Sequence, residues 1–508
     1  MAARSYHARQ FRFGFVSLPI AKRFWLASLA GLVTVAWVGR AADPVSAGPL
    51  WHEFRMTLGP GERTEALGPF WSSERTDTER SFTLAPLFSR RELREVEGWS
   101  WDALYPLMTY DRYGAEYRFQ FLQWLSFSGG QAQADVAAHR FTLFPFYFQQ
   151  RSADRARNYT ALFPLYGHLR NHFFRDEVKF CLFPAYVQTR KKDVITDNYL
   201  APIFHRRHGE GLRGWQVWPL LGHERKEPTV RTNGFGDHVT VGGHDKFFAL
   251  WPLYFHNRLD IGGTNPTTQR LVFPLFAAQR SPQRDSSTYL WPVGLTLTHD
   301  REKRYREVGL PSPLVVFARG EGKTANRIWP LFSQVHNPYL RSDFYLWPLY
   351  KYNRAHIQPL DRERTRVLLF VYSDLSEKNT STGQAFRRTD LWPLFSARRD
   401  LDGNERLQVL ALLEPFVPNN RSLERSYSPL WSVWRSERNA KTGATSQSFL
   451  WNLYRRETGP GTRKCSFLFG LIQHQKGPGG TGWRLLYLPV KRPKPGAGGG
   501  VPSSGQRK

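Results

Sequence analysis

Apolar residues in this chain arrive in short bursts, each built on an aromatic or aliphatic residue, a proline and an apolar pair, and the stretches between are polar and charged. The bursts read LAPLF, LYPLM, LFPFY, LFPLY, LFPAY, LAPIF, VWPLL, LWPLY, VFPLF, LWPVG, IWPLF, LWPLY and LWPLF, with prolines at 86, 106, 145, 164, 184, 202, 219, 252, 274, 292, 330, 348 and 393. Most lie about 20 residues apart, and self-similarity at a fixed period marks a repeat architecture. The fullest copies are Trp251-Pro252, Trp329-Pro330, Trp347-Pro348 and Trp392-Pro393, a structural repeat phrase.

Turn residues sit between copies: Asp402-Gly403-Asn404, Lys441-Thr442-Gly443, Thr458-Gly459-Pro460-Gly461 and Gly477-Pro478-Gly479-Gly480. Gly, Asn and Asp supply the positive φ of tight hairpins, and the aromatic and β-branched flanks favour strands. Proline cannot donate to a ladder, so the phrase reads as a bend where one strand ends and the next begins. Each unit is then a hairpin with an apolar base and a charged tip; the alternative is one long strand kinked at the phrase.

In Phe344–Tyr350 (FYLWPLY) both parities are apolar, which predicts a hub covered on both faces. Trp218, Trp251, Trp291, Trp329, Trp347 and Trp392 would then be core. Weaker copies bring the expectation to about 20 units, and Ser89–Glu97 reads as one or two helical turns. The fold class is therefore all-β: tandem ~20-residue repeats of β-hairpins or strands forming a large barrel-like or ring-like sheet with an apolar hub.

The N-terminus breaks this pattern. Arg4, Arg9, Arg12, Lys22 and Arg23 precede the uncharged run Phe24–Val38, and small residues follow in GRAADPVSAG. That is the layout of a signal peptide, or of an N-terminal membrane anchor, within residues 1–42. It predicts export to the periplasm or outer membrane, or attachment to the inner membrane through residues 24–38. An entry segment (43–83), a single β-repeat domain (84–490) and a Gly/Pro/basic tail expected to be disordered (491–508) complete the chain.

Of the 508 residues, 15% are aromatic, enough for a core and against disorder throughout. Net charge is +28, from 71 basic and 43 acidic residues, which favours polyanionic partners. Acids are interspersed with the bases, so specific nucleic-acid binding is not expected. The densest basic triplet in the array, Arg190-Lys191-Lys192, is a candidate polyanion-binding tip for an anionic envelope polymer. Cys181 and Cys465 read as small buried hydrophobes.

Nothing marks an active site. Gly320–Thr324 lacks the first glycine of a phosphate-binding loop, and Asp400–Asn404 lacks the closing glutamate of a calcium loop; both read as turns. His205 and His208 have no third ligand in sequence. No enzyme activity, metal or cofactor is implied.

The phrases and the export-like N-terminus resemble those of uncharacterised exported bacterial W/F-P-L-F/Y repeat proteins, read as shallow flower-like β barrels of many strands. The resemblance covers residues 84–490 and implies hairpin petals around an apolar hub, without any activity. Together these readings predict a non-enzymatic, membrane-associated envelope scaffold that binds lipid or amphipathic ligands. The alternatives are an outer-membrane β-barrel channel and an extracellular glycan-binding or glycan-cleaving repeat protein.

Overall fold

Residues of one parity alternate with the other along each polar stretch, and this period of two builds the whole molecule. A computed structural model of the chain describes residues 50–131, 137–232, 238–478 and 480–490. Forty-three strands, His52–Arg55 to Leu488–Val490, form one antiparallel sheet in which neighbours in sequence are neighbours in the ladder. The excursion Thr229–Thr232 with His238–Val241 makes a two-stranded sheet of its own. With two strands per unit, the hairpin reading and the expected unit count both hold. The segment expected to be an entry to the repeats already contributes strands from His52 onward. The signal or anchor segment and the basic tail lie outside the described residues.

Turns of two kinds alternate. Polar tips lie at one end of the strands and the proline phrases at the other. In the phrase at 346–349, Leu349 N–H donates to Leu346 O at 2.7 Å, closing a four-residue turn across Trp347-Pro348, a cis bond. The phrase at 250–253 repeats this, Leu253 N–H to Leu250 O at 2.7 Å. Proline is tolerated there because a turn position needs no ladder donor. This corrects the expectation of two-sided apolar strands: the consecutive apolar residues are turn, and the strand ends at Tyr345.

Successive turns are also bonded to one another. Leu250 N–H donates to Leu220 O at 2.6 Å and Trp251 N–H to Pro219 O at 2.7 Å; Leu346 and Trp347 repeat the pair onto Leu331 and Pro330 at 2.5 and 2.8 Å. To make these bonds Leu250 and Leu346 sit at φ +49° and +46°. The left-handed region costs a residue with a Cβ about 1–2 kcal/mol, and the seam of turn-to-turn bonds holds them there.

Strands start and stop at a constant distance from this seam, so residues at one level pair directly. On one face the second residue from the turn forms the row Glu65–Ser72–Thr83–Ser89–Asp102, continued far downstream by Arg435–Ser448–Arg455–Ser466–Gln473. Between them the same level holds Phe148–Ala161–Gly167–Phe180. Ordinary barrels close by staggering their strands, and this row runs level instead.

Among the described residues no ladder joins the first strand to the last. The sheet instead turns back until side chains of its two ends meet. Asn452 Nδ2 donates to the Glu65 carboxylate, and Arg435 lies 3.9 Å from it. At the polar tips Asn439 Nδ2 donates to Thr57 O at 3.1 Å, and at the turn end Phe70 packs on Trp451 with ring centroids 5.9 Å apart. The helices Arg421–Ser426 and Ser428–Trp431 add a fourth contact, in which Tyr427 Oη donates to Tyr105 O at 2.7 Å and Arg425 reaches Asp102 at 3.5 Å.

The apolar core is local. Phe148, Tyr159, Ala161, Leu169 and Phe180 form its largest cluster. Gly167 makes room for it: a Cβ there would lie 2.4 Å from Ala161 Cβ and 2.5 Å from the Phe180 ring. Gly167→Ala is expected to lower stability by about 1–3 kcal/mol, read from the denaturation midpoint. A midpoint equal to wild type would show that the two strands can part without cost.

Two further expectations need correction. Phe88–Leu93 is a strand, so Ser89–Glu97 does not form helical turns; its pairing with both neighbours overrides local helix preference. Cys181, the last residue of its strand beside the turn end, is exposed, Cys465 is half-buried, and neither forms a disulfide.

Candidate functional site

The proline phrases lie together at one end of the sheet, and there they leave a large apolar surface uncovered. The phrase tryptophans are not core: Trp251, Trp291, Trp329 and Trp347 are 39–48% exposed. They pair with the ring of the adjacent turn, Trp218 on Trp251 at 5.7 Å and Trp329 on Trp347 at 6.1 Å, so each is covered on one side and open on the other. The turn leucines stand out further, with Leu250, Leu290 and Leu346 at 57, 65 and 55%.

The first strand residue beside each turn extends the apolar band on the face opposite the buried row. Tyr345 pairs with Tyr350, Tyr350 with Val367, and Trp434 with Phe449. In one sector the band rises by another level: Trp101, Tyr110, Phe119, Phe127 and Phe141 are direct partners across five strands, the last two rings 4.8 Å apart. At about 3.3 Å per residue, turn plus first row gives a band roughly 7–10 Å deep. Above it both faces become polar, as in Leu360–Val367 (LDRERTRV).

The basic triplet lies at the other end. Arg190 and Lys191 finish the strand Tyr186–Lys191, and Lys192 occupies the tip at φ +53°. Asp176 accepts a bond from the Lys192 backbone N–H, and Arg190 Nε donates to Lys192 O at 3.1 Å. Arg190 and Lys192, without Lys191, line an open cavity of about 980 Å³ with Arg118, Arg140, Arg157 and Arg170.

Asp111, Glu116, Asp176, Glu177 and Asp193 line the same cavity, so the basic residues do not form a patch of one sign. Within it Tyr159 Oη and His172 Nε2 share a hydrogen bond of 2.7 Å. Burial, then Arg140, lowers the His172 pKa, and burial raises that of Tyr159, so both favour their neutral forms. The cleft presents donors and acceptors for a polar ligand.

The remaining candidates are structural. His205 and His208 lie on the strand Phe204–Gly209, with His208 Nδ1 3.8 Å from Asp197. Asp400 receives the Asn404 backbone N–H at 2.9 Å, a closed turn. Gly320–Thr324 joins two paired strands. Among the described residues no group of three or more His, Cys, Asp or Glu side chains is placed to hold a metal ion, and no helix is long and apolar enough to cross a membrane.

No protein-family model matches the chain, and no curated protein matches it significantly.

Proposed function

We propose that this chain is a non-enzymatic, exported envelope scaffold whose apolar rim seats in a lipid surface and there binds lipid or amphipathic molecules. The uncovered row of turn leucines and tryptophans carries the reading, since apolar surface of that extent is seldom left bare on a soluble monomer. A depth of 7–10 Å suits the headgroup–acyl boundary, where amphipathic elements sink about 5–10 Å. A spanning barrel needs strands of about 9–11 residues and an apolar band of about 25 Å. The strands here are three to eight residues long. Dipping into a leaflet therefore fits better than crossing it, and the export-like N-terminus supplies the compartment.

The positive φ of the turn leucines provides a clean test. Glycine accepts φ +49°, +54° and +46° without strain, so Leu250→Gly, Leu290→Gly and Leu346→Gly remove rim surface and leave the seam intact. Fully burying each leucine is worth about 1.5–3 kcal/mol. The triple variant is expected to partition into phosphatidylcholine vesicles at least ~100-fold less well in co-sedimentation, with a melting midpoint no lower than wild type. Equal sedimentation of the two proteins would overturn the lipid reading.

A further inference from the structure

The face that carries the buried row also gathers positive charge between Tyr350–Ile357 and Glu405–Val409. Lys351 stands directly opposite Arg366. One level away from the turn, Arg388 stands opposite Arg398 and Arg398 opposite Arg406. Arg364 is two residues from Arg366 on the same strand, hence on the same face. Like charges directly opposite one another destabilise a sheet, and this arrangement repeats the offence on adjacent strands.

Neutralisation is incomplete. Asp390 serves Arg388 at 2.9 Å and also accepts from Ser396 Oγ at 2.6 Å. Arg406 is paired with Glu437 at 3.8 Å and Glu424 at 3.9 Å, and Arg398 is held by Asn419 Oδ1 at 2.9 Å. Among the described residues no carboxylate comes within ion-pair distance of Lys351, Arg364 or Arg366. Arg364 Nε is buried and lacks a hydrogen-bond partner. Burial, then Arg366 and Arg362, makes the Arg364 cation harder to hold, with Asp390 the one opposing charge and Arg388 adding to the repulsion.

We infer that Arg364, Arg366 and Lys351 form a binding site for a phosphate-type anion carrying more than one negative charge. Two arginines whose strand positions lie about 6.6 Å apart on one face, with an ammonium across the ladder, offer the forked donors that suit the oxygens of a phosphate or diphosphate. The anion relieves the like-charge repulsion among the three cations. The site stands whether or not the rim meets lipid, because it uses the opposite face of the sheet.

The test compares the full chain with Arg364→Gln/Arg366→Gln. Pyrophosphate is expected to raise the wild-type melting midpoint by at least about 2 °C over sodium chloride of the same ionic strength. The double variant should lose that shift, and its midpoint in chloride should equal or exceed wild type, since repulsion is relieved. A wild-type shift no larger than that in chloride, or a shift retained by the double variant, overturns the site. Vesicles containing phosphatidic acid then separate the sources. Weaker capture of the double variant on these vesicles, with equal capture on phosphatidylcholine, assigns the phosphate to a headgroup; equal capture on both assigns it to a soluble phosphorylated ligand.

Discussion

Glu65→Leu is expected to destabilise the protein by about 3–5 kcal/mol, the cost of leaving buried cations without their shared counter-charge. Glu65 is 3% exposed. Arg63 Nη2 contacts it at 2.8 Å from its own strand, while Asn452, in a turn, and Arg435, in a strand, reach it from almost four hundred residues away in sequence. Burial opposes ionisation of this carboxyl, but Arg63, Arg435 and Arg455 outweigh it and hold the pKa below the usual range. Arg455 is itself fixed by Glu457 at 2.6 Å and by the Phe54 ring, 3.5 Å from its guanidinium carbon.

Removing Glu65 therefore uncouples the two ends of the sheet as well as stranding charge. Urea unfolding should show the reduced stability, and amide exchange should accelerate first in His52–Arg55 and Glu62–Ala66. Adding Arg435→Met should recover part of the loss, since the two residues touch and their effects are not additive. A Glu65→Leu protein as stable as wild type would mean that the ends are held by the other contacts alone.

What the sequence disclosed, and what it withheld, follows from the range of each interaction. The ~20-residue period, the hairpin unit and the polar tips are local: proline at the phrase and Gly or Asn midway act within a few residues, and both were legible. The tryptophans misled because apolarity alone does not separate a buried side chain from one on an uncovered rim. Trp347 is packed by Trp329 on one side yet remains 44% exposed, and only the turn geometry shows why. The Glu65 clasp was invisible. Glu65 and Arg435 are ordinary polar residues of surface-like strands and Asn452 one of a turn, and their meeting depends on the cumulative curl of the whole sheet. The same holds for Arg364 and Arg366. Their segment, LDRERTRV, looks like a solvated strand until the register sets Lys351 and not an acid opposite Arg366.

Acid should loosen the same clasp, beginning well above the pH at which carboxylates protonate. His52 is 5% exposed and pairs directly with Glu65 in the first ladder. Burial, followed by the charges of Arg455 and Lys464, lowers its pKa from 6.5 to about 4; Glu65 and Glu457 oppose the shift without cancelling it. An unfolded chain takes up this proton as the pH falls through 6.5, and the folded chain only near 4. Between those values the unfolded state binds more protons, so stability falls as the pH drops. The difference corresponds to a loss of about 3 kcal/mol by pH 4.

Glu65 and Glu457 act in the same direction at lower pH. Arginine neighbours depress both pKa values, so their contribution is lost as the pH falls below about 4.5 through the folded values. His52→Phe separates the two, because phenylalanine keeps the ring against Phe54, now 5.5 Å away, and carries no proton. Between pH 6.5 and 5 the wild-type melting midpoint should fall while that of His52→Phe stays level, and below pH 4.5 both should fall together. Parallel curves across the upper window would remove His52 as the origin of the acid sensitivity and leave the glutamates as its source.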